Sequence, residues 1–216
     1  MDTPFAHVLT TVDELRERYR QPSRLVQAKK VDTLDETTRA FIAASPFVLL
    51  ATAAADGSCD VSPRGGPPGF VRVLDDRRLA LPDLSGNNLL DSLINLTSNA
   101  HVGLLFLLPG RDETLRVDGR AWVTVEPSLL ELWDGELRTP KAVVGVEVTH
   151  AFIHCAKSFR RGRVWDPASW AEMAAAPDAC ELLVSHLALD ASPADVRANL
   201  EEGYAHDLEA EVAGGH

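Results

Sequence analysis

From residue 47 to residue 81 the chain passes through strand-length segments separated only by turn residues. That rhythm restricts the fold more than any other feature. Phe47 to Ala54 is an apolar run, Asp56-Gly57 is a hairpin signal, and Ser58 to Pro63 reads as the returning strand. Gly69 to Leu74, a turn over Asp75 to Arg77, and Arg78 to Leu81 repeat the pattern. Residues 86 to 97 switch to helical spacing, with Leu89, Leu90, Leu93, Ile94 and Leu96 apolar. Val102 to Leu108, Thr114 to Val125 and Val143 to Ile153 then return to strands, and in the second of these Leu115, Val117, Gly119, Ala121 and Val123 share one face. The sum is about seven short, mostly antiparallel strands around one central helix, which predicts a mainly β barrel with helices. Without an alternating strand–helix rhythm, a doubly wound dinucleotide fold is disfavoured.

Further helices are expected at 11 to 20, at 33 to 45 with Thr33 and Glu36 spaced as a capping box, and at 128 to 134. Beyond Trp165, Ser169 with Glu172 and Ser192-Pro193 with Asp195 look like helix starts. The expected organisation is one domain in three parts: an N-terminal helical segment (1–45), the barrel (46–165) and a C-terminal helical segment (166–216).

Charge is distributed unevenly along these parts. The 216 residues carry a net charge of −11, yet from Trp165 onward there are eleven acids and one base, Arg197. The preceding residues hold 21 acids and 20 bases, so the acidity belongs to the C-terminal part. No basic excess is available for broad binding to nucleic acid. The N-terminus lacks a basic start followed by an apolar run, and no stretch reaches the roughly 18 apolar residues of a membrane span, so a soluble cytoplasmic protein with no membrane partner is expected. Three widely spaced cysteines, Cys59, Cys155 and Cys180, and no C-x-x-C pair argue against a disulfide framework and against a structural zinc site.

Four segments are too polar or too constrained to pass without a functional reading. In Ser62-Pro63-Arg64-Gly65-Gly66-Pro67-Pro68-Gly69, Ser62 and Arg64 share a strand face, and an arginine fork suits phosphate. In Leu81 to Ser92 a strand ends at Pro82-Asp83 and a polar turn opens a helix. Its free N–H groups, with Asn87 and Asn88, would attract an anion, and Ser92 falls on the polar stripe of that helix. In the third segment Arg116, Asp118 and Arg120 alternate on one face, for which a surface ion-pair ladder is the plainer reading. The fourth, His154 to Trp165, carries cations at Lys157, Arg160, Arg161 and Arg163 beside Phe159 and Trp165, a combination suited to a phosphorylated aromatic cofactor. An exposed hairpin end, a helix cap by Ser85 or Asn87 and a solvated charge run are the plain structural alternatives for the first, second and fourth. No GxGxxG, P-loop, nucleophile elbow or HExxH occurs, and no side chain is singled out as a catalytic acid or base.

The stretch from Phe41 to Pro167 resembles the pyridoxamine 5′-phosphate oxidase-like flavoproteins, within them the subgroup bearing S-P-R-G-x-P-P-G-F-V, L-P-D-x-x-G-N-N-x-x-D-S and H-C-x-K. Here these motifs are Ser62 to Val71, Leu81 to Ser92 and His154 to Lys157. The resemblance implies an FMN-binding split β-barrel and a homodimer, with the flavin at the interface and both chains contributing. It implies that Ser62 and Arg64 line the flavin or its ribityl phosphate, that Asn87 and Asn88 take the phosphate, and that Pro82 and Asp83 border the ring. Lys157, Arg161 and Trp165 would close the site, from the same or the partner subunit. Ser92 and Arg116 complete the candidate set. The vitamin-converting oxidases carry an Arg-Lys pair where this chain has Asn87-Asn88, and a basic, aromatic tail where this chain is acidic. The resemblance therefore implies an FMN-dependent oxidoreductase of unassigned small-molecule substrate rather than a pyridoxine phosphate oxidase. A non-catalytic carrier of flavin, deazaflavin or haem is the alternative, and a barrel that dimerises and binds nothing is the third.

Overall fold

The computed structural model describes residues 3–213. Seven antiparallel strands form one sheet: β1 (Phe47–Ala53), β2 (Cys59–Gly65), β3 (Arg72–Val73), β4 (Arg78–Pro82), β5 (His101–Leu107), β6 (Thr114–Thr124) and β7 (Val143–His154). Their spatial order is β2-β1-β5-β6-β7-β4-β3. The Asp56-Gly57 signal is a hairpin turn, with Gly57 at φ 90° and the Asp56 carboxylate accepting from the Ser58 N–H and hydroxyl. The expected strand over Gly69 to Leu74 is reduced to Arg72–Val73. Pro67 and Pro68 have no N–H to give a ladder, and the chain turns instead, with the Phe70 N–H donating to the Pro67 carbonyl at 2.9 Å.

Alternation sets the two faces of the sheet. Val48, Leu50 and Thr52 of β1 point into the core with Val102, Leu104 and Phe106 of β5, while Leu49, Ala51, Gly103 and Leu105 face outward. The sheet curls so that β2, at one edge, comes back towards the end of β4, leaving a seam. Helix α4 (Asp91–Ser98) packs beside it against β1, β2 and β6, with Leu93 and Leu96 buried against the core. At a bulge between Asp118 and Gly119 of β6, a Cβ on residue 119 would lie 2.3 Å from the Glu147 carbonyl oxygen, so the close approach of β7 requires glycine there.

A second apolar cluster lies beside the seam. Helix α5 (Pro127–Leu130) runs into a 3-10 turn at Glu131–Trp133. The fully buried Trp133 packs with Ala80, Leu137 and Val143 and donates its indole N–H to the Phe70 carbonyl at 2.8 Å. Trp133 thereby fixes the loop that carries Phe70.

Helices flank the barrel. At the N-terminus are α1 (Val12–Arg18), with a Thr11–Glu14 capping box, α2 (Arg24–Ala28) and α3 (Glu36–Ala44). Neither α1 nor α2 buries a residue, and a bridge between Val31 and Ala151 ties this arm to β7. After β7 come α6 (Lys157–Gly162), α7 (Pro167–Met173), α8 (Ala179–Leu187) and α9 (Pro193–Ala213). The Ser192–Asp195 start is present as reciprocal hydrogen bonds. The Ser169 start is not: α7 begins at Asp166-Pro167, and the buried Ser169 hydroxyl donates to the Arg163 and Asp166 carbonyls. No described helix is long and apolar enough to cross a membrane.

The cap of α3 is also displaced from its expected place. Asp35, not Thr33, is the N-cap, and its carboxylate accepts from the Thr38 N–H at 2.7 Å. Hydrogen bonds from Thr38, and then Thr37, hold this carboxyl below its ordinary value. Asp35→Ala is expected to cost about 1 kcal/mol at neutral pH, the usual scale for an N-cap. The folded pKa is depressed, so the stabilisation is present above the ordinary aspartate range and lost as pH falls through the folded value. Urea denaturation of wild type and variant from pH 7 down to acid should show the gap closing.

Candidate functional site

The seam between β2 and the end of β4 opens into a cavity of about 290 Å³. Six of the residues expected from sequence line it together: Ser62, Arg64, Pro82, Asp83, Asn87 and Asn88, with Phe70 among the other wall residues. The β1–β2 register explains how β2 delivers its share. Asp60, Ser62 and Arg64 lie opposite Thr52, Leu50 and Val48, so their side chains emerge on the core-facing side at the sheet edge. There the apolar interior gives way to polar groups.

These polar groups form a directed chain. The Arg64 Nε–H donates to Ser62 Oγ at 3.2 Å, and Ser62 Oγ lies 2.9 Å from Ser92 Oγ. Ser92 donates to the Asp60 carboxylate. Each hydroxyl has one proton, so the donation by Ser92 to Asp60 leaves Ser62 as donor to Ser92. The Ser62 proton is thus committed to Ser92, and its oxygen helps to fix Arg64. The buried Ser92 anchors the same chain from α4 and is not among the residues lining the cavity. Asp60, absent from the expected set, ends the chain. Its period-2 spacing with Ser62 and Arg64 was the available signal.

Arg64 is held a second time by Asp83, with Nη1 2.9 Å from Oδ1 and both side chains mostly buried. This leaves Nη2 without a partner among the described residues, aimed by two fixed contacts. Arg64 and Asp83 are the titratable side chains lining this cavity. The lining therefore balances one cation against one carboxylate and is less cationic than the sequence suggests. Its further anion-seeking groups are backbone N–H and amide donors of the loop 83–90.

That loop departs from the expected helix start. The helix begins at Asp91, not at 86, because Asn88 (φ 57°) and Leu90 (φ 63°) adopt left-handed backbone that cannot belong to a right-handed helix. Asn87 and Asn88 therefore precede the helix rather than open it. Asn87 accepts from the Leu89 N–H at 3.1 Å, a local turn, and α4 has no side-chain cap.

The remaining expected residues lie elsewhere. Arg116 is paired with Asp118 at 2.8 Å, as the ladder reading has it. It lines a separate outer cavity of about 460 Å³ with Leu49, Ala51, Val61, Ser158 and Phe159. Leu49 and Ala51 pair with Pro63 and Val61, so this cavity is on the face of the sheet opposite to Ser62 and Arg64. Phe159 and Trp165 stack on each other with centroids 5.9 Å apart, and the Trp165 indole donates to the Arg111 carbonyl at 2.7 Å. Arg160 pairs with Asp112 and Arg163 with Asp166. Lys157 and Arg161 are exposed and have no ion pair among the described residues. Within one protomer the 154–165 segment thus does not join the seam.

A curled antiparallel sheet with a polar cavity at its split edge is a split barrel. The family model described as pyridoxamine 5′-phosphate oxidase matches residues 34–155, more than half of the chain. The chain belongs to that family. Among solved structures it is similar to HupZ of Group A Streptococcus, at 20% identity and TM-score 0.47 over 55% of this chain and 92% of that one. It is also similar to a putative pyridoxamine 5′-phosphate oxidase of Lactobacillus delbrueckii, at 24% identity and TM-score 0.45 over 57% and 98%. An F420 reductase is similar at 18% identity and TM-score 0.38 over 52% and 94%. No curated protein matches the chain.

Proposed function

We propose that this protein is an FMN-dependent oxidoreductase of a small-molecule substrate, working as a homodimer with the flavin at the interface. The observation that carries the reading is the doubly held Arg64 guanidinium, which lines the same cavity as Asn87 and Asn88 and keeps Nη2 without a partner among the described residues. A fixed arginine fork beside amide donors suits a phosphate. Bound there, the flavin would supply hydride acceptance and onward electron transfer, chemistry that no side chain at the seam offers. The protein's own share is to bind and orient: Arg64 and the 86–88 loop hold the anionic end, and Pro82 and Phe70 provide apolar wall.

The fit is incomplete in one protomer, and that supports the dimer. The cavity of about 290 Å³ lies at the lower end of the roughly 300–1,000 Å³ usual for small-molecule pockets, and none of the cations of the 154–165 segment lines it. Lys157 and Arg161 sit on the far side of the sheet from their own seam, with no ion pair there. In a two-fold dimer they would close the partner's seam instead. This accounts for two exposed, unpaired cations next to a half-apolar outer face.

The test is the visible absorption spectrum of the purified protein, before and after FMN and then NADPH. Bound flavin that bleaches with the reductant supports the oxidoreductase. Bound flavin that no reductant or substrate reaches supports the carrier, and a protein that never takes up FMN removes both. Asp83→Asn bears on the same site. It removes the charged partner that helps hold Arg64 in place, so FMN should bind about five-fold more weakly by fluorescence quenching, on the ~1 kcal/mol scale of such a pair.

A further inference from the structure

Behind the 83–90 loop lies a second cavity, of about 340 Å³, that the seam site does not use. The loop is a wall shared by both: Asp83, Leu84, Ser85, Gly86, Asn88 and Leu90 line each of them. The other walls of the rear cavity bring Arg138 and Lys141, with Leu93 and Pro140 as apolar surface. Neither cation has an ion pair among the described residues. One further wall residue comes from the far end of the chain.

It is Glu211, in the last turn of α9. The Glu211 carboxylate accepts the Ser85 N–H at 2.8 Å, and its backbone carbonyl accepts the Arg138 N–H at 2.6 Å. Two features make this more than helix packing. Glu209 and Glu211 stand at a helix C-terminus with no base in the last turn, where the dipole disfavours negative charge. And α9 is exposed along most of its length, while its acidic end meets the barrel at the Ser85 N–H, in the cavity that Arg138 and Lys141 also line.

We propose that the rear cavity is a binding site for a small organic anion, a carboxylate or phosphate with an apolar body, and that Glu211 is its built-in occupant when no ligand is present. The Glu211 carboxylate does what a ligand's anionic group would do: it accepts from Ser85 while Arg138 and Lys141 supply countercharge. Leu84, Leu90, Leu93 and Pro140 would contact the apolar body. A ligand must displace Glu211, and it would bind against the back of the wall that carries Asn87 and Asn88. This site does not depend on the seam holding a flavin.

The experiment is an NMR titration of the full-length protein, following the Ser85 and Arg138 backbone amides, with inorganic phosphate and with benzoate as probes. Wild type is compared with Glu211→Ala and with Glu211→Gln, which keeps the shape of the side chain and the helix contact while removing the charge. Both variants should show saturable shifts at the two amides, with half-saturation about ten-fold lower than wild type, on the scale of one charge-assisted contact. Arg138→Ala in either background should reverse the gain. Tighter benzoate identifies a carboxylate with an apolar body, and tighter phosphate a phosphoryl group. If neither variant gives saturable shifts at Ser85, or both bind no better than wild type, the site is overturned, whatever the seam does with FMN.

Discussion

Trp133→Ala should cost about 3–5 kcal/mol, the range for deleting a large aromatic from a closed core. On the usual scale of ~2–4 °C per kcal/mol for a chain of this size, the melting temperature should fall by roughly 6–20 °C. The indole is fully buried, stacked under the Arg72 guanidinium at 6.0 Å, and bonded to the Phe70 carbonyl. Alanine loses the packing, leaves a cavity among Ala80, Leu137 and Val143, and strands that carbonyl. Trp133→Phe separates the two contributions. It keeps most of the volume and loses only the hydrogen bond, so about 1–3 kcal/mol should remain as the cost of the unpaired acceptor. Phe70 is also a wall of the seam cavity, so both variants should weaken ligand binding there below the melting point. A loss under 1 kcal/mol for the alanine variant in urea denaturation would show that the cluster can collapse around the gap and that Trp133 does not fix the loop.

What could be read in the sequence was whatever is governed by neighbours in the chain. The Asp56-Gly57 hairpin, the alternation of Leu115, Val117, Gly119 and Ala121 in β6, and the shared face of Ser62 and Arg64 follow from a period of two and from turn chemistry, and the structure keeps them. The expected boundaries moved where local preferences competed. Asp35 replaced Thr33 as a cap, and the left-handed backbone of Asn88 and Leu90 delayed α4 to Asp91. Long-range pairings leave no local signal. Glu211 and Ser85 are separated by 126 positions, and nothing near either residue marks the other. Trp133 falls within the expected helix at 128 to 134, and only the fold shows it closing a second cluster. Lys157 and Arg161 are the converse case. Their charge was legible, but the face of the sheet they occupy is set by tertiary structure, and it is the wrong face for their own seam.

That last fact yields the sharpest prediction, because it makes the site divisible between chains. Arg64→Ala should weaken FMN by about 100-fold, the loss of a charged contact worth up to ~3 kcal/mol. The double variant Lys157→Ala, Arg161→Ala should also bind poorly, since the cover over the partner's seam loses both charges. If each site pairs one chain's seam with the other chain's cations, every site in either homodimer carries a defect. In a mixed dimer the defects sort: one site carries both, and the other carries none. Equal amounts of the two variants, unfolded and refolded together, should form mixed dimers to about one half, so about one quarter of all sites should regain tight FMN. Equilibrium dialysis measures that fraction, against the same variants refolded separately. If instead each chain supplied both halves of its own site, mixing would restore nothing, and the assignment of Lys157 and Arg161 to the partner's flavin would fail. Recovery near one quarter has no source other than sites shared across a two-fold axis, since neither chain can by itself provide both Arg64 and the two cations.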